Sequence, residues 1–376
     1  MPEPLSHIEI SKKNLIANVR AIRGFIGRDV SLAAVIKANA YGHGQNEVAS
    51  VLEPYVDYFQ VDDVEELRLL RTVTQKPTFV FGYVAKNELE ESLRLNAILN
   101  IYDLERLRKV STIARKLNIT PTVHIKIDAC LGRQGLLIEE VSAFLKQIKK
   151  ITNVHIGGVY SHFANIEDTT DNSHALKQIE TFKKAVVLFQ EAGFSHIQTH
   201  ISATSGILVY EKKHLQNPIV RFGIGTYGMW PSEGLQKKFH RTLALRPVMR
   251  WVSHIAQIKT VPKGYTIGYG LTYQTKRLAQ IAVIPQGYSD GYDRGLSNCG
   301  KVLIGGKRCR VLGRVAMNMF VVDVSKVKNA RVEDEVVLLG TQGQETITAE
   351  ELAKKIDTIN YEITTRISPL LPRRIV

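Results

Sequence analysis

From about residue 30 to residue 240 the chain alternates short apolar runs with longer stretches whose apolar residues recur at helical spacing. That alternation restricts the fold more than any other feature, because a parallel sheet needs a crossover between successive strands. The strand candidates are the run ending at Lys37, then residues 58–61, 78–81, 97–101, 122–127, 155–160, 196–201 and 219–221. Residues 64–71, 104–117, 139–148 and 176–192 read as amphipathic helices between them. Eight strands, each flanked by a helix, fit an N-terminal (β/α)8 TIM-like barrel, whose chemistry collects at the strand C-termini. A doubly wound open sheet has the same alternation. No G-x-G-x-x-G follows an early strand, which argues against a dinucleotide fold. Ahead of the alternation, residues 7–10 read as a short strand, and Ser11 can cap a helix with Leu15, Val19 and Ile22 on one face.

Beyond residue 240 the pattern changes. Residues 248–261, 278–284, 301–303, 308–311, 320–324 and 336–339 are short and β-rich, with glycine turns between them. Thr348 and Glu351 form a capping box ahead of one helix. The expected fold class is therefore α/β: residues 1–240 form the barrel and 241–376 a C-terminal mostly-β domain. A hydrophobic content of 44% over 376 residues suffices for two cores.

Several function classes drop out. No apolar run approaches the ~18 residues of a membrane span, and residues 1–7 lack the basic flank and apolar stretch of a signal peptide. Cys130, Cys299 and Cys309 make no C-x-x-C pair, so neither a disulfide framework nor a metal site is expected, and a cytoplasmic protein is. The net charge of +14 is scattered as pairs such as Lys149-Lys150, Lys183-Lys184 and Lys212-Lys213. With no basic run and no recognition motif, no nucleic-acid partner is expected.

The stretch Val35-Ile36-Lys37-Ala38-Asn39-Ala40-Tyr41-Gly42-His43-Gly44 carries the chemistry. A lysine closing an apolar strand is expected to be partly desolvated, which favours a neutral amine able to form a Schiff base. The plainer reading is a lysine snorkelling out of the strand end. Gly42 and Gly44 permit a tight turn whose N–H groups suit an anion. The whole string resembles the lysine motif of the alanine racemase family, a strand ending in K-A-N-A-Y-G-H-G. The resemblance implies that Lys37 holds pyridoxal 5'-phosphate (PLP) and that Tyr41 lies near its phosphate.

Eight further segments, in order along the chain, resemble family motifs. Lys126-Ile127-Asp128-Ala129-Cys130-Leu131-Gly132-Arg133 is similar to K-x-D-T-G-M-G-R, with Ala129, Cys130 and Leu131 departing from it. By that resemblance Arg133 binds the substrate carboxylate and Lys126 is carbamylated to fix the arginine. His162-Phe163-Ala164 matches H-F-A, and Ser205 falls in an N-S-A/G element where Thr204 replaces Asn. A core histidine and a helix N-cap are the competing readings of His162 and Ser205. Arg221-Phe222-Gly223-Ile224 matches R-x-G-I, so the Gly223 and Ile224 amides are implied phosphate donors. Arg221 would face the PLP ring nitrogen, and an always-charged guanidinium cannot accept the proton that nitrogen would carry. That disfavours a long-lived carbanion and suits simple proton exchange rather than decarboxylation.

In the β-rich segment Tyr269-Gly270-Leu271-Thr272-Tyr273 resembles Y-G-x-T-Y, and residues 287–292 resemble G-Y-x-D-G-Y. Gly313-Arg314-Val315-Ala316-Met317-Asn318 resembles G-R-V-x-M-D with Asn318 departing, and Tyr361-Glu362 resembles a C-terminal Y-E motif. Sheet packing is the preferred reading of Tyr273 and Tyr292. The family pattern gives Tyr269 the second catalytic role, the Met317 amide a substrate contact, and Tyr361 a place at the entrance beside the cofactor.

The resemblance thus implies a PLP-dependent racemase that interconverts L- and D-alanine with two bases, Lys37 and Tyr269, and supplies D-alanine for peptidoglycan. It also implies a homodimer in which the β domain of one subunit completes the site of the other. A racemase of serine or another amino acid would share these residues. A non-catalytic PLP carrier would lack residues 241–376.

Overall fold

Parallel pairing of consecutive buried strands builds the first half of the molecule. A computed structural model describes residues 4–167, 170–215 and 217–376. Residues 1–3 and the side chains of Lys212 and Lys213, both drawn on above, lie outside those described. The strands are β2 (Ser31–Val35), β3 (Tyr58–Val61), β4 (Thr78–Val80), β5 (Ala97–Ile101), β6 (Thr122–Lys126), β7 (His155–Tyr160), β8 (Gln198–His200) and β9 (Ile219–Phe222). Their order around the sheet is β8-β7-β6-β5-β4-β3-β2-β9. β9 lies parallel to β2, with Ala33 opposite Arg221. The Arg221 N–H donates to Ser202 O at 3.1 Å just past β8, completing the eight-stranded barrel.

The barrel interior is a plug of rings. Phe81 stacks on Tyr160 at 4.2 Å and Tyr160 on His200 at 4.9 Å, with Phe79 edge-on to His124. Outside, the helix Lys12–Ile26 buries Leu15, Val19 and Ile22 as its spacing requires, each burial contributing roughly 1.5–3 kcal/mol. The helix Leu104–Leu117 starts where the Asp103 carboxylate accepts the Arg106 N–H and stops at Asn118, whose φ of 54° ends it. β4, β6 and β8 are shorter than expected at their C-terminal ends, because Phe81, Ile127 and Ile201 already belong to the loops that leave the barrel. Likewise β2 ends at Val35, and Lys37 lies beyond it.

The chain divides into two compact units: residues 15–38 with 49–246, and residues up to Asn14 with 39–48 and 247–376. The second is the β unit. It contains β1 (His7–Ile10), β10 (Met249–His254), β11 (Gln257–Val261), β12 (Thr266–Ile267), β13 (Tyr273–Gln274), β14 (Ala279–Ile284), β15 (Lys301–Ile304), β16 (Lys307–Leu312), β17 (Phe320–Asp323), β18 (Glu335–Gln342), β19 (Glu345–Ile347) and β20 (Arg373–Ile375). The main sheet runs β11-β14-β17-β16-β15-β18-β10-β1-β20. β1 is antiparallel to β10 and parallel to β20.

A division at residue 240 therefore assigns residues up to Asn14 and 39–48 differently from the structure. Ile8 and Ile10 are fully buried in this sheet, and periodicity says that a strand is half-buried without saying which sheet it joins. Tyr292 is a core residue as expected, stacked on Phe320 at 4.5 Å.

Candidate active site

Lys37 opens an unusual turn. Ala38, Asn39, Ala40 and Tyr41 have φ between 52° and 54°, a left-handed run of four residues with side chains. Each costs roughly 1–2 kcal/mol relative to a right-handed conformation, so the turn persists only because its polar groups are held. Glu66 Oε1 accepts the Ala38 N–H at 2.6 Å, Asn39 Oδ1 accepts the Gln45 N–H at 2.9 Å, and the His43 ring Nδ1 lies 3.0 Å from Ala40 O. Gly42 follows at φ 84°, where a Cβ would lie 1.9 Å from Thr364 O. Lys37 is not the dry strand lysine expected. Its side chain is 40% exposed and Nζ lies 3.2 Å from Asp62 Oδ1, because the strand ends two residues early.

Four cations converge around one ring in the barrel unit. Arg221, on β9, is buried, and its Nη2 donates to Ser161 O at 2.6 Å and to Ile201 O at 2.8 Å. His162 is held well below its ordinary pKa, first by burial and then by Arg221, Arg133, Lys126 and Lys37. Its Nδ1 has no hydrogen-bond partner among the described residues. A ring in that field stays neutral. Lys126, on β6, is 3% exposed, and burial followed by Arg133 and Arg221 pushes its amine down to about 8. Arg133 stands on a loop organised by Asp128, whose carboxylate takes the N–H groups of Leu131, Gly132 and Arg133 at 2.8, 3.1 and 3.0 Å. Three amides on one carboxylate give the loop its shape despite the changes at 129–131. Cys130 is exposed and has φ 65°, a glycine-like conformation.

Next to Arg221 lies a set of N–H donors. A short helix, Thr204–Gly206, begins with Ala203 at its N-cap, so Ser205 is not the cap. Its hydroxyl donates to Glu167 at 3.2 Å. Thr204 Oγ1 accepts the Gly223 N–H at 3.2 Å. Of the two implied phosphate donors, Ile224 is the one whose N–H meets no acceptor among the described residues.

The remaining residues belong to the β unit. Tyr41 and Tyr361 approach with ring centroids 6.0 Å apart. Tyr269 is 75% exposed on a glycine-flanked turn, Gly268 and Gly270 both having positive φ. It lines a cleft of about 420 Å³ with Tyr288, Arg314, Met317 and Asn318. Met317 O accepts both the Ser289 N–H at 3.0 Å and the Ser289 hydroxyl at 2.8 Å. The Asn318 amide donates to Ser289 Oγ at 2.9 Å, so the departure from Asp supplies a donor at that point.

The family models for "Alanine racemase, N-terminal domain" and "Alanine racemase, C-terminal domain" match residues 10–231 and 248–375. The chain belongs to the alanine racemase family. An alanine racemase of Leptospira interrogans is 33% identical over 99% of this chain and 96% of its own length. The structure of alanine racemase from Clostridium difficile superposes with a TM-score of 0.92 at 34% identity, covering 100% of this chain and 97% of that one. That from Bacillus anthracis with bound L-Ala-P superposes at 0.91 and 31% identity, covering 100% and 96%.

Within this alanine racemase fold, sequence reasoning passed over three positions. Gln178 is fully buried and ties two site loops together, donating to Ala129 O at 2.7 Å and to His162 O at 3.2 Å. A glutamine on the inner face of the helix Ser173–Glu191 was the available signal. Glu66 and Asp62 had none, since acidic residues at a helix start look like ordinary dipole partners.

Proposed function

We propose that the chain is a PLP-dependent isomerase that interconverts L-alanine and D-alanine, with Lys37 and Tyr269 as bases on opposite faces of the substrate. Family membership supports the reaction. The observation that carries the mechanism is Arg221, a buried permanent cation on the strand beside the one that leads into Lys37.

The barrel set fits PLP. Ile224 N–H and the Ser205 hydroxyl would be donors for a phosphate, the family resemblance adds Tyr41 and Tyr361 to the cofactor residues, and the buried Nδ1 of His162 has no hydrogen-bond partner among the described residues. Lys37 would hold PLP, and the cofactor would supply the electron withdrawal that weakens the bond between the substrate Cα and its hydrogen. Arg221 limits that withdrawal, because it cannot take up a proton. Proton exchange at Cα is then favoured over loss of the carboxylate.

Lys37 exchanges the Cα proton on the D side and Tyr269 on the L side. A tyrosine is a weak base at its ordinary pKa of about 10, so it needs a positive neighbour. His162 is neutral in its surroundings, which leaves it to relay a hydrogen bond and leaves the charge to Arg221. Arg133 takes the substrate carboxylate through its planar fork, assisted by the Met317 amide. Lys126, with its amine near neutrality at mildly alkaline pH, is suited to carbamylation: the amine nitrogen bonds to the carbon of CO2 and releases a proton. The resulting anion fixes Arg133.

The exposed Tyr269, Met317 and Met319 share one cleft, an apolar face that a second copy of the chain covers in a homodimer with shared sites. No helix among the described residues is long and apolar enough to cross a membrane, in keeping with a cytoplasmic enzyme that supplies D-alanine for peptidoglycan. The test is an absorbance spectrum of the purified protein followed by an L- to D-alanine assay, with serine as comparator. A cofactor band with alanine turnover above serine is expected. No cofactor band, or serine preferred, overturns the reading.

A further inference from the structure

Strand register brings a carboxylate to Lys37. Val35 on β2 faces Gln60 on β3, and the Ile36 N–H donates to Gln60 O at 2.9 Å. Two residues farther along each chain, Lys37 stands beside Asp62, with Nζ 3.2 Å from Oδ1. Two neighbours keep them there. The Glu66 carboxylate takes the Ala38 N–H at 2.6 Å with one oxygen and the Asp62 N–H at 2.7 Å with the other. It thus clamps the residue after Lys37 to Asp62 itself. Gly82 donates its N–H to Asp62 O at 2.7 Å, and a Cβ on Gly82 would lie 2.6 Å from Asp62 Oδ2. The carboxylate occupies space that only a glycine leaves open.

We propose that Asp62 is a positioning residue for Lys37 and the counter-charge to its ammonium during racemisation. The inference rests on the assignment of Lys37 and Tyr269 as the two bases. When Lys37 takes the Cα proton of D-alanine, the Cα–H bond breaks, an Nζ–H bond forms, and the electron pair stays with the substrate. The amine becomes a cation beside Asp62, and an adjacent carboxylate favours that product. The same carboxylate accepts one N–H and so limits the rotation of the Nζ group, which places the base at the reacting atom. The pair is partly exposed, Lys37 by 40% and Asp62 by 50%, and an incidental surface pair of that kind contributes little to anything. The clamp on both backbones distinguishes this pair from an incidental one.

The test compares the wild-type holoenzyme with Asp62→Asn and Asp62→Glu. L- and D-alanine have equal free energies, so kcat/KM falls by the same factor in both directions, about tenfold for Asp62→Asn, and rates alone do not locate the defect. Isotope effects do. With α-deuterated D-alanine the effect on kcat/KM rises in Asp62→Asn, because transfer to Lys37 limits more. With α-deuterated L-alanine it falls towards unity, because the step on the other face is now masked. Asp62→Glu restores both towards wild type.

A second readout needs no turnover. In protein stripped of cofactor, limited acetylation of Lys37, read by peptide mass, rises about threefold or more in Asp62→Asn, since an ion-paired ammonium is withheld from acylation. Both readouts must move. Isotope effects that change alike from the two enantiomers, or unchanged acetylation, assign Asp62 to the fold alone and overturn the proposal. Borohydride reduction of the loaded wild type separates this failure from failure of the base assignment. Cofactor fixed to the Lys37 peptide upholds that assignment, and cofactor on another lysine removes both.

Discussion

His124 Nδ1 and His200 Nε2 lie 2.9 Å apart in the buried centre of the barrel, so one ring donates and the other accepts. The accepting ring cannot take a proton at that contact without placing a donor against a donor, and burial opposes a charge on either ring. Burial pushes His124 down to about 3 and His43 down to about 4, and holds His162 and His200 well below the usual histidine value. The unfolded chain therefore binds more protons than the folded one below about pH 6.5. The stability these neutral rings contribute is complete above that value and is lost as pH falls through it towards about 3. Each ring adds a slope of about 1.4 kcal/mol per pH unit in that window. Urea unfolding between about pH 7 and about pH 5 should show stability falling with acid, and less steeply in His124→Gln. A stability independent of pH over that range would contradict the neutral rings.

Tyr269→Phe should keep the cofactor and lose turnover by about 10²–10⁴-fold. Tyr269 is exposed and packs no core, so the substitution leaves the fold alone. Absorbance reports the cofactor and the alanine assay reports turnover. Full activity, or loss of the cofactor band, would remove Tyr269 from its role.

Lys37→Ala should lose cofactor attachment and turnover in both directions. Mixed after subunit exchange with Tyr269→Phe, it should regain activity, because a hybrid dimer with shared sites has one site carrying both lesions and one carrying neither. With equal random mixing about half the dimers are hybrids, from the two-fold symmetry. Recovery approaching a quarter of wild-type sites is the upper bound. No recovery after verified exchange would mean that both bases come from one chain.

Thiol reagents should find Cys130 first. It is exposed, three residues before Arg133, whereas Cys309 is buried with its thiol pushed up to about 12. A small alkylating agent should inactivate the wild type, a saturating substrate-like carboxylate should protect it, and Cys130→Gly should resist. Glycine suits the φ of 65° there, so that variant should lose no stability. Equal inactivation of Cys130→Gly would place the sensitive thiol elsewhere.

The order of strands around the barrel was legible in the sequence because consecutive βα units pair in chain order, and apolar periodicity locates each of them. The candidate site was legible through the motifs the chain shares with its family, which singled out Lys37, Arg133 and Arg221, and the structure puts all three cations within electrostatic reach of His162. Asp128 kept the Arg133 loop in shape through three changed residues with hydrogen bonds to the backbone N–H groups of Leu131, Gly132 and Arg133, which is why the motif tolerates them.

Other features were decided by tertiary structure alone. Periodicity is a local property, and it reports how much of a residue is buried but not what faces it. It could not say that residues 7–10 pair with β10, or that 39–48 pack with the β unit while Lys37 stays with the barrel. The left-handed turn at Ala38–Tyr41 runs against the intrinsic preference of every residue in it, so only its held polar groups could select it. Asp62 meets Lys37 across 25 positions of chain through a parallel register set by buried backbone hydrogen bonds, and no spacing in the sequence encodes that register.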